Sequence, residues 1–186
     1  MVAEKALYFV AFVPKGRILD ELWRLKEQLA ARYNAKAALK SPPHITLHMP
    51  FQFRKDREER VLHALQEAAQ SITPFVVELK NFNAFPPRVI YVDVVPNESL
   101  TRIQLEVHGA MKTHLNVFNP DYKNRGFTPH LTVLFRDLKK PEFTKAWDQL
   151  KGTPLAYTFE VTDLCLLQHN GRNWDIFERI PLKSAL

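Results

Sequence analysis

The chain has 186 residues, of which 46% are hydrophobic, enough to bury a core without disulfides or metal staples. Cys165 is the only cysteine, so an intrachain disulfide and a multi-cysteine metal or iron-sulfur centre are excluded, and the expectation is a reducing, cytoplasmic setting. Twenty-six basic against twenty acidic residues give a net charge of +6, a mild bias toward anionic partners such as nucleotides or RNA. The longest clean apolar run, Ala6 to Pro14, is too short to span a membrane, and no secretory signal is expected.

The pattern divides the chain into alternating elements. Lys5 to Val13 reads as a buried strand that stops at Pro14. Arg17 to Tyr33 carries Leu22, Leu25, Leu29 and Tyr33 at helical spacing. A Ser-Pro-Pro stop precedes a short strand over His44 to Met49, and Asp56 is placed to cap a helix over Arg57 to Gln70. Two strands follow, Phe75 to Phe82 and Val89 to Val95, then a helix from Glu98 to Leu115. After the polar turn Asn116 to Gly126 come a strand over His130 to Phe135 and a short helix around Glu142 to Leu150. A strand over Ala156 to Gln168, a turn at His169-Asn170-Gly171-Arg172 and a strand over Trp174 to Ile180 form a hairpin signalled by Asn-Gly.

The order repeats itself. Pro42-Pro43-His44-Ile45-Thr46-Leu47 matches Thr128-Pro129-His130-Leu131-Thr132-Val133, and each copy leads into a helix and then strands. Two copies are too few for a solenoid. The expectation is therefore an α+β protein, one domain over residues 1–186 made of two pseudo-symmetric antiparallel lobes, with outer helices and a cleft where the lobes meet.

In a strand, residues i and i+2 share a face, so His44 and Thr46 point one way while Ile45 and Leu47 point into the core; His130 and Thr132 do the same. Across one cleft this gives two imidazoles, expected within roughly 5 to 8 Å of each other, and two hydroxyls around a phosphorus atom. A pair of histidines can hold one neutral base and one charged acid near pH 7, which suits in-line attack on a phosphodiester. The threonine hydroxyls can donate to nonbridging phosphate oxygens. A single His-x-Thr would most simply be a packed or surface histidine; folding alone gives no reason to repeat it at equivalent places. The residues leave open which histidine is the base.

The doubled motif, with the opening strand Leu7 to Pro14 and the closing hairpin around Leu164 to Leu182, resembles the 2H phosphoesterases, and among them the 2'-5' RNA ligase and RNA 2',3'-cyclic phosphodiesterase group. The resemblance implies a bilobal duplicated fold, two antiparallel sheets with outer helices around a central cleft. It implies His44 and His130 as catalytic residues, Thr46 and Thr132 as phosphate ligands, and no metal or other cofactor. The implied reaction opens 2',3'-cyclic phosphate ends of RNA or nucleotides to 2'-phosphates, with reversible 2'-5' ligation as the same displacement by a ribose hydroxyl. ADP-ribose cyclic phosphate is the small-substrate variant of that reading. After the first motif the chain reads His48-Met49-Pro50-Phe51-Gln52-Phe53-Arg54, where better characterised members continue with Phe-Leu-Gly.

Further candidates flank the motifs. His48 shares the strand face expected for His44; Arg54, Lys55, Lys123, Arg125 and Arg136 could meet phosphates; Phe51, Phe53, Phe127 or Trp174 could stack on a base. The other histidines, His63, His108, His114 and His169, fall on helices or a turn, where a surface role is expected. A metal-dependent hydrolase would want clustered ligands that neither motif carries. A noncatalytic RNA or nucleotide-binding module would use the same cleft without turnover. The expected partner is RNA or a nucleotide with a cyclic phosphate, with no membrane, and the expected state is a monomer.

Overall fold

A computed structural model describes residues 4–119 and 126–184. The elements in chain order are β1 Lys5–Phe12, α1 Gly16–Tyr33, β2 Ile45–Arg54, α2 Glu58–Ala69, β3 Phe75–Phe85, β4 Val89–Val94, α3 Glu98–Leu115, β5 His130–Leu134, α4 Lys140–Leu150, β6 Ala156–Val161, β7 Asp163–His169 and β8 Trp174–Pro181, with short 3-10 turns at Ala37–Lys40 and Lys55–Arg57. Among the described residues no helix is long and apolar enough to cross a membrane.

The strands form one antiparallel sheet in the order β6-β3-β4-β5-β2-β1-β7-β8. The two sheets expected from the duplication are its halves, β6-β3-β4-β5 and β2-β1-β7-β8, and they meet only where Ile45 of β2 pairs with Leu131 of β5. The repeats are interleaved rather than side by side in space. The hairpin β3-β4 that follows the first motif pairs with β5 of the second, and β7 and β8 that follow the second motif extend the half that holds the first. That exchange puts both motif strands at the centre of the sheet. α1 and α4 pack over β5 and β4, whereas α2 and α3 pack over β2, β7 and β8.

Strand periodicity decides which residues reach the core. On β1, Tyr8, Val10 and Phe12 belong to the main core, while Phe9 and Ala11 belong to a smaller cluster with Cys165, Leu167, Trp174 and Ile176. α3 is capped at one end by Asn97, whose side chain accepts from the backbone N–H of Leu100 at 3.0 Å, and it ends on Asn116 in the left-handed conformation.

Three local expectations are corrected. Asp56 does not cap α2; it sits in the preceding 3-10 turn, and its carboxylate is taken by Arg54. The segment Ala156 to Gln168 is two strands, broken at Thr162, with β6 at one end of the sheet and β7 near the other. Asp163 is buried at that break, hydrogen-bonded by Thr162 and ion-paired with Lys15 and Arg179. A carboxylate so placed cannot remain in a continuous apolar strand without these partners, and they lie on β8 and the β1–α1 connection. The helical stripe of α1 also differs: Lys26 is buried beside Leu22, Leu29 and Tyr33, whereas Leu25 is only partly buried.

Candidate active site

A proline, Pro43 or Pro129, precedes each motif histidine and disfavours helical backbone in the residue before it. Ile45, Leu47, Leu131 and Val133 are fully buried, and His44, Thr46, His130 and Thr132 are half-buried on the other face. The pairing of Ile45 with Leu131 sets Thr46 level with His130 and Thr132 level with His44. Directly opposed residues in such a pair lie about 4.5 to 5.5 Å apart and diagonal ones about 7 to 8 Å. The register therefore places the four residues around the junction of the two strands, and the two histidines are close enough for the charge of His130 to act on His44.

The two imidazoles are held in the same way. Nδ1 of His44 lies 2.7 Å from the carbonyl of Pro42, and Nδ1 of His130 lies 2.7 Å from the carbonyl of Thr128. A carbonyl only accepts, so each Nδ1 carries the hydrogen and each Nε2 is left to exchange protons. The motif Pro/Thr-Pro-His thus supplies the acceptor two residues before the histidine, a local signal that the repeated sequence already contained.

Aromatic rings flank both histidines. His44 packs on Phe9 at 4.9 Å between centroids, and Phe9 meets Trp174 edge-on at 4.7 Å. His130 packs on Tyr91 and Phe85, each at 5.1 Å, and Phe85 is 40% exposed. Burial lowers the pKa of both histidines. For His44, burial and then the charge of Lys26 bring it to about 4 against the support of the Pro42 carbonyl; for His130, the Thr128 carbonyl and Asp93 oppose the burial.

Of the other sequence candidates, few reach this face. His48 is 1% exposed, and it is turned into the core. Two register shifts in the β1–β2 pair make His48 the partner of Val10 while Thr46 partners Ala11, so the irregularity moves His48 to the Val10 side. There it meets Phe51 and lies near His108. Arg54 is ten residues along β2 from His44, and its guanidinium is bonded to Asp56 at 2.9 and 2.5 Å. Lys55 pairs with Glu4. Arg136 is exposed beyond β5 with its guanidinium over the Phe135 ring. Lys123 and Arg125 lie outside the described residues. Phe51 is core, Phe53 and Phe127 pack against the core, and Trp174 stands by the histidine face, edge-on to Phe9. Three of the remaining histidines have specific neighbours: His114 is 2.7 Å from Glu67 and packs near His63, and His169 packs on Trp174.

Sequence reading missed Phe9, Phe85, Tyr91, Asp93 and Lys26. Tyr91 and Asp93 alternate on β4 and pair with Thr132 and His130, which only the strand order could reveal. Among the described residues no group of three or more His, Cys, Asp or Glu is placed to hold a metal ion.

The comparisons with known proteins agree with this geometry. The sequence profile of the 2'-5' RNA ligase superfamily matches residues 18–173, and the chain belongs to that superfamily, the 2H phosphoesterases. A provisionally named phosphoesterase of Geobacillus kaustophilus is 29% identical over 92% of this chain and 93% of its own length. One from Bacillus cereus is 32% identical over 93% of this chain and 95% of its own. The fold is similar to a crystal structure from Thermus thermophilus, with a TM-score of 0.70 at 16% identity, covering 97% of this chain and 100% of that one. It is similar as well to E. coli LigT complexed with 3'-AMP, with a TM-score of 0.66 at 20% identity over 97% and 100% of the two chains.

Proposed function

We propose that this chain is a cyclic phosphodiesterase that opens 2',3'-cyclic phosphate ends of RNA or nucleotides to 2'-phosphates, with His44 and His130 as the proton-transferring pair and Thr46 and Thr132 as phosphate ligands. The observation that carries the reading is the matched tethering of the two imidazoles: both Nδ1 atoms are tied to carbonyls just ahead of strands that pair side by side, leaving both Nε2 atoms for substrate. One histidine takes a proton from the attacking water as the other protonates the departing ribose oxygen. The threonine hydroxyls donate to nonbridging oxygens whose charge grows in the transition state. With a ribose hydroxyl in place of water the same displacement is 2'-5' ligation, and run backward it cleaves the 2'-5' bond and re-forms the cyclic phosphate. The chain is read as a single domain of two pseudo-symmetric lobes, with the pair at their junction.

The nucleotide bound in the related LigT structure supports a nucleotide-sized occupant. The deciding assay incubates the protein with 2',3'-cyclic nucleotides, RNA with a cyclic phosphate end and ADP-ribose 1'',2''-cyclic phosphate, with and without EDTA. The expected product is a 2'-phosphate, formed equally in EDTA because acid and base are both supplied by the chain. Turnover of the ADP-ribose compound alone would reassign the substrate, restoration by a divalent ion after chelation would reassign the mechanism, and tight binding without turnover would make the cleft a binding module.

A further inference from the structure

The two histidine motifs match in sequence and in tethering, yet the charged groups around them differ. Lys26 of α1 is 1% exposed. Its Nζ donates to the Ser41 carbonyl at 2.7 Å, three residues before His44, and sits 5.0 Å from the centroid of the Trp23 ring. Among the described residues no carboxylate is in ion-pair reach of it, so its charge is not cancelled locally and acts on His44. On the other side, Asp93 is the register partner of His130 on β4, held by Nδ2 of Asn83 at 3.2 Å. The groups facing His44 are Phe9 of β1 with Trp174 of β8 behind it, Lys26 of α1 and His130 of β5. Those facing His130 are Tyr91 and Asp93 of β4, Phe85 of β3 and His44 ahead of β2.

Resting on the phosphodiesterase reading above, we propose that Lys26 and Asp93 are positioning residues that polarise the histidine pair, making His44 the neutral base and His130 the protonated acid in ring opening. Nε2 of His44 accepts a proton from water as the water oxygen bonds to phosphorus. The bond from phosphorus to the leaving ribose oxygen breaks, and Nε2–H of His130 gives that oxygen its proton. One proton enters the pair and one leaves it, and exchange with solvent resets both rings. The order has a kinetic consequence: only when the base titrates below the acid is the productive form the dominant one between the two pKa values. Lys26 is itself lowered to about 7 by burial, so it is charged throughout the more acidic range in which His44 gains its proton. Through the Ser41 carbonyl it also fixes the Ser-Pro-Pro segment whose Pro42 carbonyl orients His44.

The test is an NMR titration of the imidazole nitrogens of His44 and His130 in the ligand-free protein, assigned with His44→Gln and His130→Gln, in the parent, Lys26→Met and Asp93→Asn. His130 should titrate above His44 in the parent. Lys26→Met should raise the His44 midpoint by about 1 pH unit, and Asp93→Asn should lower that of His130 by a similar amount. With a 2',3'-cyclic nucleotide, the acid limb of kcat/KM should move up in Lys26→Met and the alkaline limb down in Asp93→Asn. A parent His44 that titrates at or above His130, or a His44 unmoved in folded Lys26→Met, overturns the proposal. Should Lys26→Met not fold, the parent order and Asp93→Asn decide it, an unmoved His130 counting against. If no cyclic phosphate is turned over, the titrations still judge the polarity, and the failure then belongs to the functional reading.

Discussion

At His44 and His130 the carbonyls of Pro42 and Thr128 hold Nδ1, which leaves Nε2 as the nitrogen free to exchange a proton. In the proposed reaction, removing either ring deletes one of two proton transfers, and His44→Ala and His130→Ala should each lower turnover of a 2',3'-cyclic nucleotide by about 10² to 10⁴. On the same proposal, Thr46→Val and Thr132→Val would each remove a charge-assisted hydrogen bond to phosphate of about 1.5 to 3 kcal/mol, and turnover should fall roughly 10- to 100-fold. Steady-state kinetics on folded variants checks both; a double His→Ala variant at the parental rate would refute the assignment. These four residues were legible in the sequence because the motif occurs twice. Lys26 was half-legible: it falls four residues after Leu22 and three before Leu29, on the stripe that the helix buries, but a lysine is ordinarily taken for the solvent side. His48 was misread because alternation was carried straight through an irregularity in β2 that no residue type announces.

Elements were read better where one period ran unbroken. α3, with Asn97 before it and an amphipathic stripe along it, has the bounds that its sequence predicts. The long run from Ala156 to Gln168 was misread because apolar content continues across the point where the chain leaves one end of the sheet for the other. The physical marker is Thr162-Asp163, meaningful only once Lys15 and Arg179 are known to be adjacent. Burial works against the Asp163 carboxylate, but hydrogen bonds from Lys15, Arg179 and Thr162 outweigh it and hold its pKa below the usual carboxylate range. Replacing it leaves two cations without their shared partner at the joint between β6 and β7. Asp163→Asn should therefore lower the unfolding free energy by about 2 to 4 kcal/mol. Urea denaturation at pH 7 measures it, and a change below about 0.5 kcal/mol would mean that the joint is held by backbone pairing alone.

Over the whole molecule, the interleaved repeats gather buried basic groups around the centre of the sheet, with consequences for stability that the net charge does not reveal. His44, His48 and His130 are all lowered by burial, His44 to about 4. The unfolded chain, with histidines near about 6.5, binds more protons than the folded one between that value and the lowered ones. Stability must then rise with pH across that window and fall as pH drops through it. His44 alone contributes on the order of 3 kcal/mol of this dependence. Lys26, lowered to about 7 by burial, extends the rise above pH 7, because the unfolded lysine stays protonated to about 10.4. Asp163 acts in the same direction at lower pH: its stabilisation is present above the unfolded carboxylate value and is lost as pH falls through its depressed folded one. Denaturant melts from pH 4.5 to 8.5 should show stability climbing steadily from pH 4.5 to 6.5 and further above pH 7, with the upper segment flattened in Lys26→Met and the lower one reduced in His44→Gln. A stability maximum near pH 5, where these burials oppose folding strongly, would mean that the histidines titrate in the folded protein as they do in free solution.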